Sequence, residues 1–146
     1  MGDRSVRRRR KPIDLVEGVP RFLDHFRHGD DEFLVTSDCG LDNLVDDLVR
    51  HGLYSLSPGP RSLGRLAVAL ARILSALHSS GVIMRHLKPA NVVIGELGPS
   101  VVDFGVASYG GIHLPGATAG YASARQYHGE PPAQSDDYHA LGWFSC

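Results

Sequence analysis

The chain has 146 residues and a formal net charge of −1, with 42% hydrophobic and 21% charged residues. This composition is typical of a globular domain and excludes a collagen-like chain, a disulfide scaffold and a wholly disordered chain. No apolar run reaches the roughly 18–20 residues that cross a bilayer. The two cysteines give neither a disulfide framework nor a CxxC metal pair. We therefore expect a cytoplasmic protein without a membrane span, forming one domain or a piece of a larger one.

The charge is concentrated at the N-terminus. Residues 1–11 carry six basic side chains against one acid, Asp3, which leaves −6 for residues 12–146. A basic run can bind nucleic acid or an anionic membrane, but nucleic-acid-binding domains carry basic residues on a folded face, and this body is acidic. We predict that residues 1–18 form a basic, disordered leader. A small nucleic-acid-binding protein that uses this run is the less favoured alternative.

The first predicted elements are two strands and a helix. Residues 19–36 predict two strands, joined by a polar turn at residues 28–31. Residues 41–50 have apolar side chains at helical spacing, and Gly52 is a suitable stop. The Pro-rich and Gly-rich residues 55–60 then predict a loop.

The strongest predicted helix follows, with Ser62 as N-cap and Gly81 at its end. Its apolar stripe consists of Leu63, Leu66, Leu70, Ile73, Leu74 and Leu77. Three short apolar runs come next, at residues 82–84, 92–94 and 101–102.

The last third of the chain predicts a long loop over residues 105–134 and an apolar helix over residues 135–144. Leu141, Trp143 and Phe144 would begin a core there. We expect the stripe of the long helix to lack much of its packing partner. The prediction is a poorly cooperative monomer, or a chain that pairs with a second chain through this stripe.

Residues 77–94 read LHSSGVIMRHLKPANVVI. This segment resembles the catalytic loop of protein kinases, His-Arg-Asp-Leu-Lys-Pro-x-Asn. The segment Val102-Asp103-Phe104-Gly105 resembles the Asp-Phe-Gly motif of the same family. Together they form a specific signal, since the two motifs stand at the family's spacing with short apolar runs between them.

The resemblance extends over residues 19–146. Residues 118–126 resemble the end of an activation segment, 137–142 the start of the central large-lobe helix, and 33–44 the last small-lobe strand with the hinge. The implied fold is α+β and protein-kinase-like, comprising the end of the small β lobe and the first part of the mainly helical large lobe. The implied domain is thus a partial kinase-like domain after the leader.

The resemblance also implies roles for site residues. Asp103 and Asn91 would each hold a magnesium ion at ATP, and Lys88 would steady the transferred phosphoryl group. His86 stands at the position of the catalytic aspartate. The residues with an implied structural or activation-segment role are Arg85, Phe104, Gly105, Thr118, Tyr121 and Asp137.

Several positions depart from the family pattern. His86 replaces the aspartate that orients the substrate hydroxyl, Met84 replaces a structural histidine, and Arg125 replaces the glutamate of a Pro-Glu pair. These departures resemble the kinase-like domains of bacterial lanthipeptide synthetases. No Gly-rich loop precedes the hinge, and the only early lysine is Lys11.

The sequence therefore predicts a kinase-like domain whose family function is ATP-dependent phosphorylation of Ser or Thr hydroxyls. We expect this chain alone to be inactive, as a pseudokinase or a fragment, with doubtful ATP and Mg²⁺ binding. The alternative is a non-catalytic binding or scaffold protein. The implied partners are a protein substrate or a chain that completes the fold.

Overall fold

The computed structural model describes residues 16–145 and is a mixture of helices and small sheets, as predicted. The strands are β1 (Phe22–His28), β2 (Asp31–Thr36), β3 (Asp42–Asn43), β4 (Val82–Ile83), β5 (Val92–Gly95), β6 (Gly98–Val101) and β7 (Ser108–Tyr109). The helices are α1 (Leu44–His51), α2 (Leu63–Ser79), α3 (Ala124–Tyr127) and α4 (Gln134–Gly142). Short 3-10 turns lie at Pro89–Asn91 and Trp143–Ser145. In the described part of the chain, no helix is both long and apolar enough to cross a membrane.

Strands β1 and β2 form the antiparallel hairpin that the sequence predicts. His28 lies opposite Asp31, and Gly29 takes the left-handed conformation, with φ of 63°, that this tight turn needs. Phe26 and Phe33 are directly paired, and their rings stack with centroids 5.1 Å apart. Cross-strand aromatic pairs of this kind stabilise a hairpin and fix its register.

The other strands form two further small sheets. One has the order β3-β5-β6, and the other pairs β4 with β7. Val82 lies opposite Tyr109, so strand β4, within residues 77–94, is tied to the segment after the Asp-Phe-Gly motif. The prediction of one long loop over residues 105–134 is wrong in part, since this stretch contains β7 and α3. Both elements are too short to show a period in the sequence.

The helices begin close to where the apolar pattern places them. Helix α1 starts at Leu44 rather than Leu41, because residues 42–43 pair with β5 instead. The Asn43 side chain caps α1 by accepting a hydrogen bond from the Asp46 amide at 3.0 Å. Ser62 is at the N-cap position of α2, but its side chain makes no capping hydrogen bond.

The stripe of α2 is buried, so the expectation that it lacks a packing partner is wrong. Leu70, Leu74 and Leu77 are fully buried, and α2 contacts β4, β6 and α4. The chain that follows the helix supplies the packing, through the buried side chains of Val82, Met84, Leu87, Val92, Val101 and Ala140. Short strands thus fill the part of the core next to α2 for which the sequence pattern predicts a further helix.

The predicted leader, residues 1–18, is described only from residue 16. Val16 packs against the core, and the Gly18 carbonyl accepts a hydrogen bond from the Val101 amide at 2.8 Å. A Cβ atom at Gly18 would clash with the Ile73 side chain, which explains why glycine suits this position. Residues 1–15 lie outside the described residues.

Candidate functional site

The carboxylate of Asp137 fixes the start of the catalytic-loop segment. It accepts hydrogen bonds from the Met84 amide at 2.9 Å, the Arg85 amide at 2.7 Å and His78 Nε2–H at 2.8 Å. The Asp137 side chain is fully buried. A buried carboxylate is very costly unless it is fully hydrogen-bonded, and here three donors satisfy it. Helices α2 and α4 are thereby joined to the loop between them.

Two non-glycine residues of the described chain have a left-handed backbone, Arg85 with φ of 61° and Asp103 with φ of 66°. Such a conformation costs roughly 1–2 kcal/mol and persists where neighbouring contacts enforce it. Arg85 is held by its own side chain, which donates from Nη1 to the carbonyls of Val106 and Leu114 at 3.2 and 2.9 Å. Asp103 turns so that its Oδ1 accepts from the Gly105 amide at 3.2 Å.

These turns bring His86 and Asp103 together. His86 Nδ1 lies 3.1 Å from Asp103 Oδ2, which is ion-pair distance. The same nitrogen is buried and makes no hydrogen bond within residues 16–145. The Asp103 oxygen is therefore close to Nδ1 but does not lie in line with an N–H bond on that nitrogen. Asn91 joins the group, since its Nδ2 donates to the His86 carbonyl at 3.0 Å and its own carbonyl accepts from Val102. The predicted site residues 86, 91 and 103 therefore form one cluster.

A cleft of about 830 Å³ opens beside Asp103. Its walls come from the β1–β2 hairpin, the connection after β2, strand β5 and the Asp-Phe-Gly segment, and include Phe22, Leu34, Thr36, Cys39, Val102 and Asp103. Pockets for small ligands commonly have a few hundred to about 1,000 Å³ and mostly apolar walls. The cleft thus has the size of a small-ligand site, and Asp103 is among its lining residues.

The segment after Asp103 is attached to the catalytic loop by Gln126. Its buried Nε2 donates to the Arg85 carbonyl at 2.9 Å and to the Gly116 carbonyl at 2.7 Å. Ser123 anchors the same helix, α3, to the start of α4 by donating to Asp136 Oδ1 at 2.6 Å. The sequence reasoning missed both roles. The only signal was the position of Gln126 within the segment that resembles an activation-segment end.

The remaining predicted site residues lie outside the cluster of His86, Asn91 and Asp103 and contact the surrounding core and surface. Phe104 and Tyr121 pack against the core, and the Thr118 carbonyl accepts from the amides of Tyr121 and Ala122. Lys88 is half-buried in the loop, and no partner for its amino group occurs among the residues described. Arg125, at the family's glutamate position, pairs instead with Glu130 at 2.6 Å on the surface.

A second charged group lies between α1 and the loop before α2. Asp47 is buried and receives two hydrogen bonds from Arg61, at 3.1 and 2.9 Å, while the Arg61 guanidinium lies 4.3 Å from the Tyr54 ring centroid. Hydrogen bonds from Arg61 lower the pKa of Asp47, and the same bonds raise the pKa of Arg61. Burial raises the pKa of Tyr54. This group has no link to the cluster at Asp103 and stabilises the fold.

The cluster fits a magnesium ion poorly. Magnesium prefers oxygen ligands in near-octahedral geometry, whereas a ring nitrogen lies beside the Asp103 oxygen here. In residues 16–145, no group of three or more His, Cys, Asp or Glu side chains is arranged to hold a metal. No step that needs magnesium is therefore assigned to these residues.

The known proteins to which this chain is similar in sequence include serine/threonine-protein kinases. The chain is 49% identical over 43 residues to the serine/threonine-protein kinase AfsK of Streptomyces griseus, covering 30% of this chain and 5% of that protein. It is 36% identical over 87 residues to the probable serine/threonine-protein kinase PkwA of Thermomonospora curvata, covering 56% and 12%. It is 31% identical over 114 residues to the serine/threonine-protein kinase PkaA of Streptomyces coelicolor, covering 68% and 21%.

The chain spans about a fifth or less of the length of these curated relatives. No protein-family model matches it. The similarities support a relationship to the protein kinase superfamily. The narrower likeness to lanthipeptide synthetases stays a prediction.

Proposed function

We propose that this chain is a protein-kinase-like domain that binds a nucleotide in the cleft beside Asp103 but does not transfer its phosphate. The observation that carries the proposal is His86. It stands at the catalytic position of the family, and its Nδ1 is buried 3.1 Å from Asp103. Similarity to three bacterial serine/threonine-protein kinases supports the family role of the cleft.

Transfer to a hydroxyl needs a group within hydrogen-bond reach of that hydroxyl, together with metal ions that neutralise the phosphates. Nδ1 of His86 is closed off from solvent, so this nitrogen does not reach a substrate hydroxyl, and the imidazole differs in size and geometry from the aspartate of the family. The nearby Asp103 carboxylate is shared with this ring instead of being free for magnesium. Each tenfold loss of rate corresponds to about 1.4 kcal/mol of activation free energy. The changes at these two groups together therefore suffice to remove measurable transfer.

The framework around the loop favours a binding role. Asp137 accepts hydrogen bonds from three donors, and Gln126 joins the activation-segment region to the loop. These buried polar contacts hold the loop in one conformation, because leaving one of them unsatisfied costs about 1–3 kcal/mol.

The test is binding and transfer measured on the full chain. We expect a fluorescent ATP analogue to bind, and labelled phosphate from ATP not to appear on generic acceptor proteins. Leu34→Glu places a negative charge in the cleft at a residue that is 67% exposed. It should weaken nucleotide binding about tenfold.

The matched control is Leu97→Glu, a fully exposed leucine in the β5–β6 turn, which should leave binding unchanged. Equal binding by both variants would place the nucleotide elsewhere. Phosphate transfer that disappears in Asp103→Asn would overturn the proposal.

A further inference from the structure

The β1–β2 hairpin is a separate sheet of only two strands, and both of its faces are exposed. Its residues are half-buried at Phe22 and Val35 and exposed at every other position. A two-stranded hairpin is marginally stable at best in water, and stable sheets have three or more strands or pack against a helix. Residues 16–145 supply no further strand to this sheet. A neighbouring strand from outside them would therefore stabilise it.

The two outer edges of the hairpin differ in chemistry. Strand β1 has charged or imidazole side chains at four of its seven positions, and such side chains discourage the addition of a strand. Strand β2 instead has a central apolar run of Phe33, Leu34 and Val35. Phe33 is 42% exposed and Leu34 is 67% exposed. An exposed apolar edge strand favours pairing with another strand, so β2 is the edge at which this sheet can grow.

The sequence of β2 is complementary to itself in an antiparallel arrangement. With Leu34 opposite Leu34 of a second copy, Phe33 lies opposite Val35, and apolar side chains meet on both faces. In the same register Glu32 lies opposite Thr36, so no two carboxylates oppose each other. A shift of two residues would place Glu32 opposite either Leu34 or another carboxylate, and a parallel arrangement in register would place it opposite itself. The charges of β2 thus select the antiparallel pairing centred on Leu34.

We propose that two copies of this chain associate through β2, antiparallel and about a two-fold axis at Leu34, to form one four-stranded sheet. Closed two-fold contacts of this kind are the commonest form of homo-oligomer. The interface differs from the apolar stripe of α2, which is buried within each copy. It adds an interaction surface to the proposed function and does not depend on nucleotide binding.

Sedimentation of the full chain over a range of concentrations tests the association. We expect a dimer that dissociates on dilution, since one added strand pair makes a small interface. Phe33→Lys places a cation opposite Val35 of the second copy and should raise the dissociation constant of the dimer by about tenfold or more. A chain that stays monomeric at every concentration would overturn the inference.

The matched control is Phe26→Lys, which removes the same stacked ring pair from β1, away from the proposed interface. It should leave the dissociation constant within about twofold of that of the unchanged chain. Equal weakening of the dimer by Phe33→Lys and Phe26→Lys would contradict an interface at the β2 edge.

Cross-linking tests the register of the two strands. In a chain that also carries Cys39→Ser and Cys146→Ser, Leu34→Cys places two thiols opposite each other across the axis, at a separation that a disulfide can span. Thr36→Cys lies opposite Glu32 of the second copy instead. Mild oxidation should therefore convert most of the Leu34→Cys chain to a covalent dimer and little of the Thr36→Cys chain. Equal cross-linking at the two positions would exclude the pairing centred on Leu34.

The two proposals fail separately. A dimer that binds no nucleotide would overturn the proposed function alone. Nucleotide binding by a chain that stays monomeric would overturn the β2 interface alone.

Discussion

Asp137 is the single side chain on which the geometry of the candidate site most depends. Its three donors lie 52, 53 and 59 residues away along the chain. Asp137→Asn turns one acceptor oxygen into a donor that faces other donors. We expect this variant to lower the free energy of unfolding by about 3 kcal/mol, measured by urea denaturation.

The control for this substitution is Glu96→Gln in the exposed β5–β6 turn, which should change stability by less than about 0.5 kcal/mol. Equal stabilities of the two variants would mean that the Asp137 contacts are not maintained in solution.

At the residue level, the sequence predicts which residues form the cluster, but not how their side chains are arranged. The resemblance to the kinase motifs selected 86, 91 and 103, and these residues do come together. The contact of His86 with Asp103 depends on a left-handed backbone at Asp103, which no local pattern signals for a non-glycine residue. The role of Gln126 depends on carbonyls 10 and 41 residues away, so it was also hidden.

At the level of elements, the bidentate pair of Asp47 and Arg61 ties α1 to the loop before α2. Because the folded-state pKa of Asp47 lies below its ordinary value of 3.8, its ion pair stabilises the protein above that pH. The stabilisation is lost as the pH falls below 3.8 towards the folded-state value. Asp47→Asn should therefore be less stable than the unchanged chain at pH 7, and the difference should shrink below pH 4.

Urea unfolding of both proteins at several pH values gives this difference. Asp46→Asn, on the exposed side of α1, is the control and should lower the stability at pH 7 less than Asp47→Asn does. A constant gap between Asp47→Asn and the unchanged chain from pH 7 to pH 3 would contradict the assignment.

The elements themselves differ in how far sequence determines them. Helix α2 was predicted closely because its 17 residues carry several repeats of one apolar stripe. The β1–β2 hairpin was predicted because its turn chemistry is local. Strand β7 has two residues and α3 has four, so neither has enough length to leave a periodic pattern.

For the whole molecule, the core between α2, the short strands and α4 sets the stability. Leu70 is fully buried in it. Leu70→Ala should lower the free energy of unfolding by about 2–5 kcal/mol, a large share of the roughly 5–15 kcal/mol of a typical domain. Thermal and urea denaturation measure the loss.

Val68→Ala on the same helix is the control, because Val68 is 51% exposed and its loss should cost less than about 0.5 kcal/mol. A small effect of Leu70→Ala would mean that α2 does not dock as described, and would revive the expectation of pairing through its stripe.

The contacts of Asp137 also determine how the catalytic loop opens. The amides of Met84 and Arg85 can exchange with solvent deuterium only when the carboxylate on α4 moves away. Their exchange rates therefore report the undocking of α4, although neither residue lies in that helix. Since the same loop carries His86, we expect undocking of α4 to release the candidate site as well, so the amides of Met84 and Arg85 report on both.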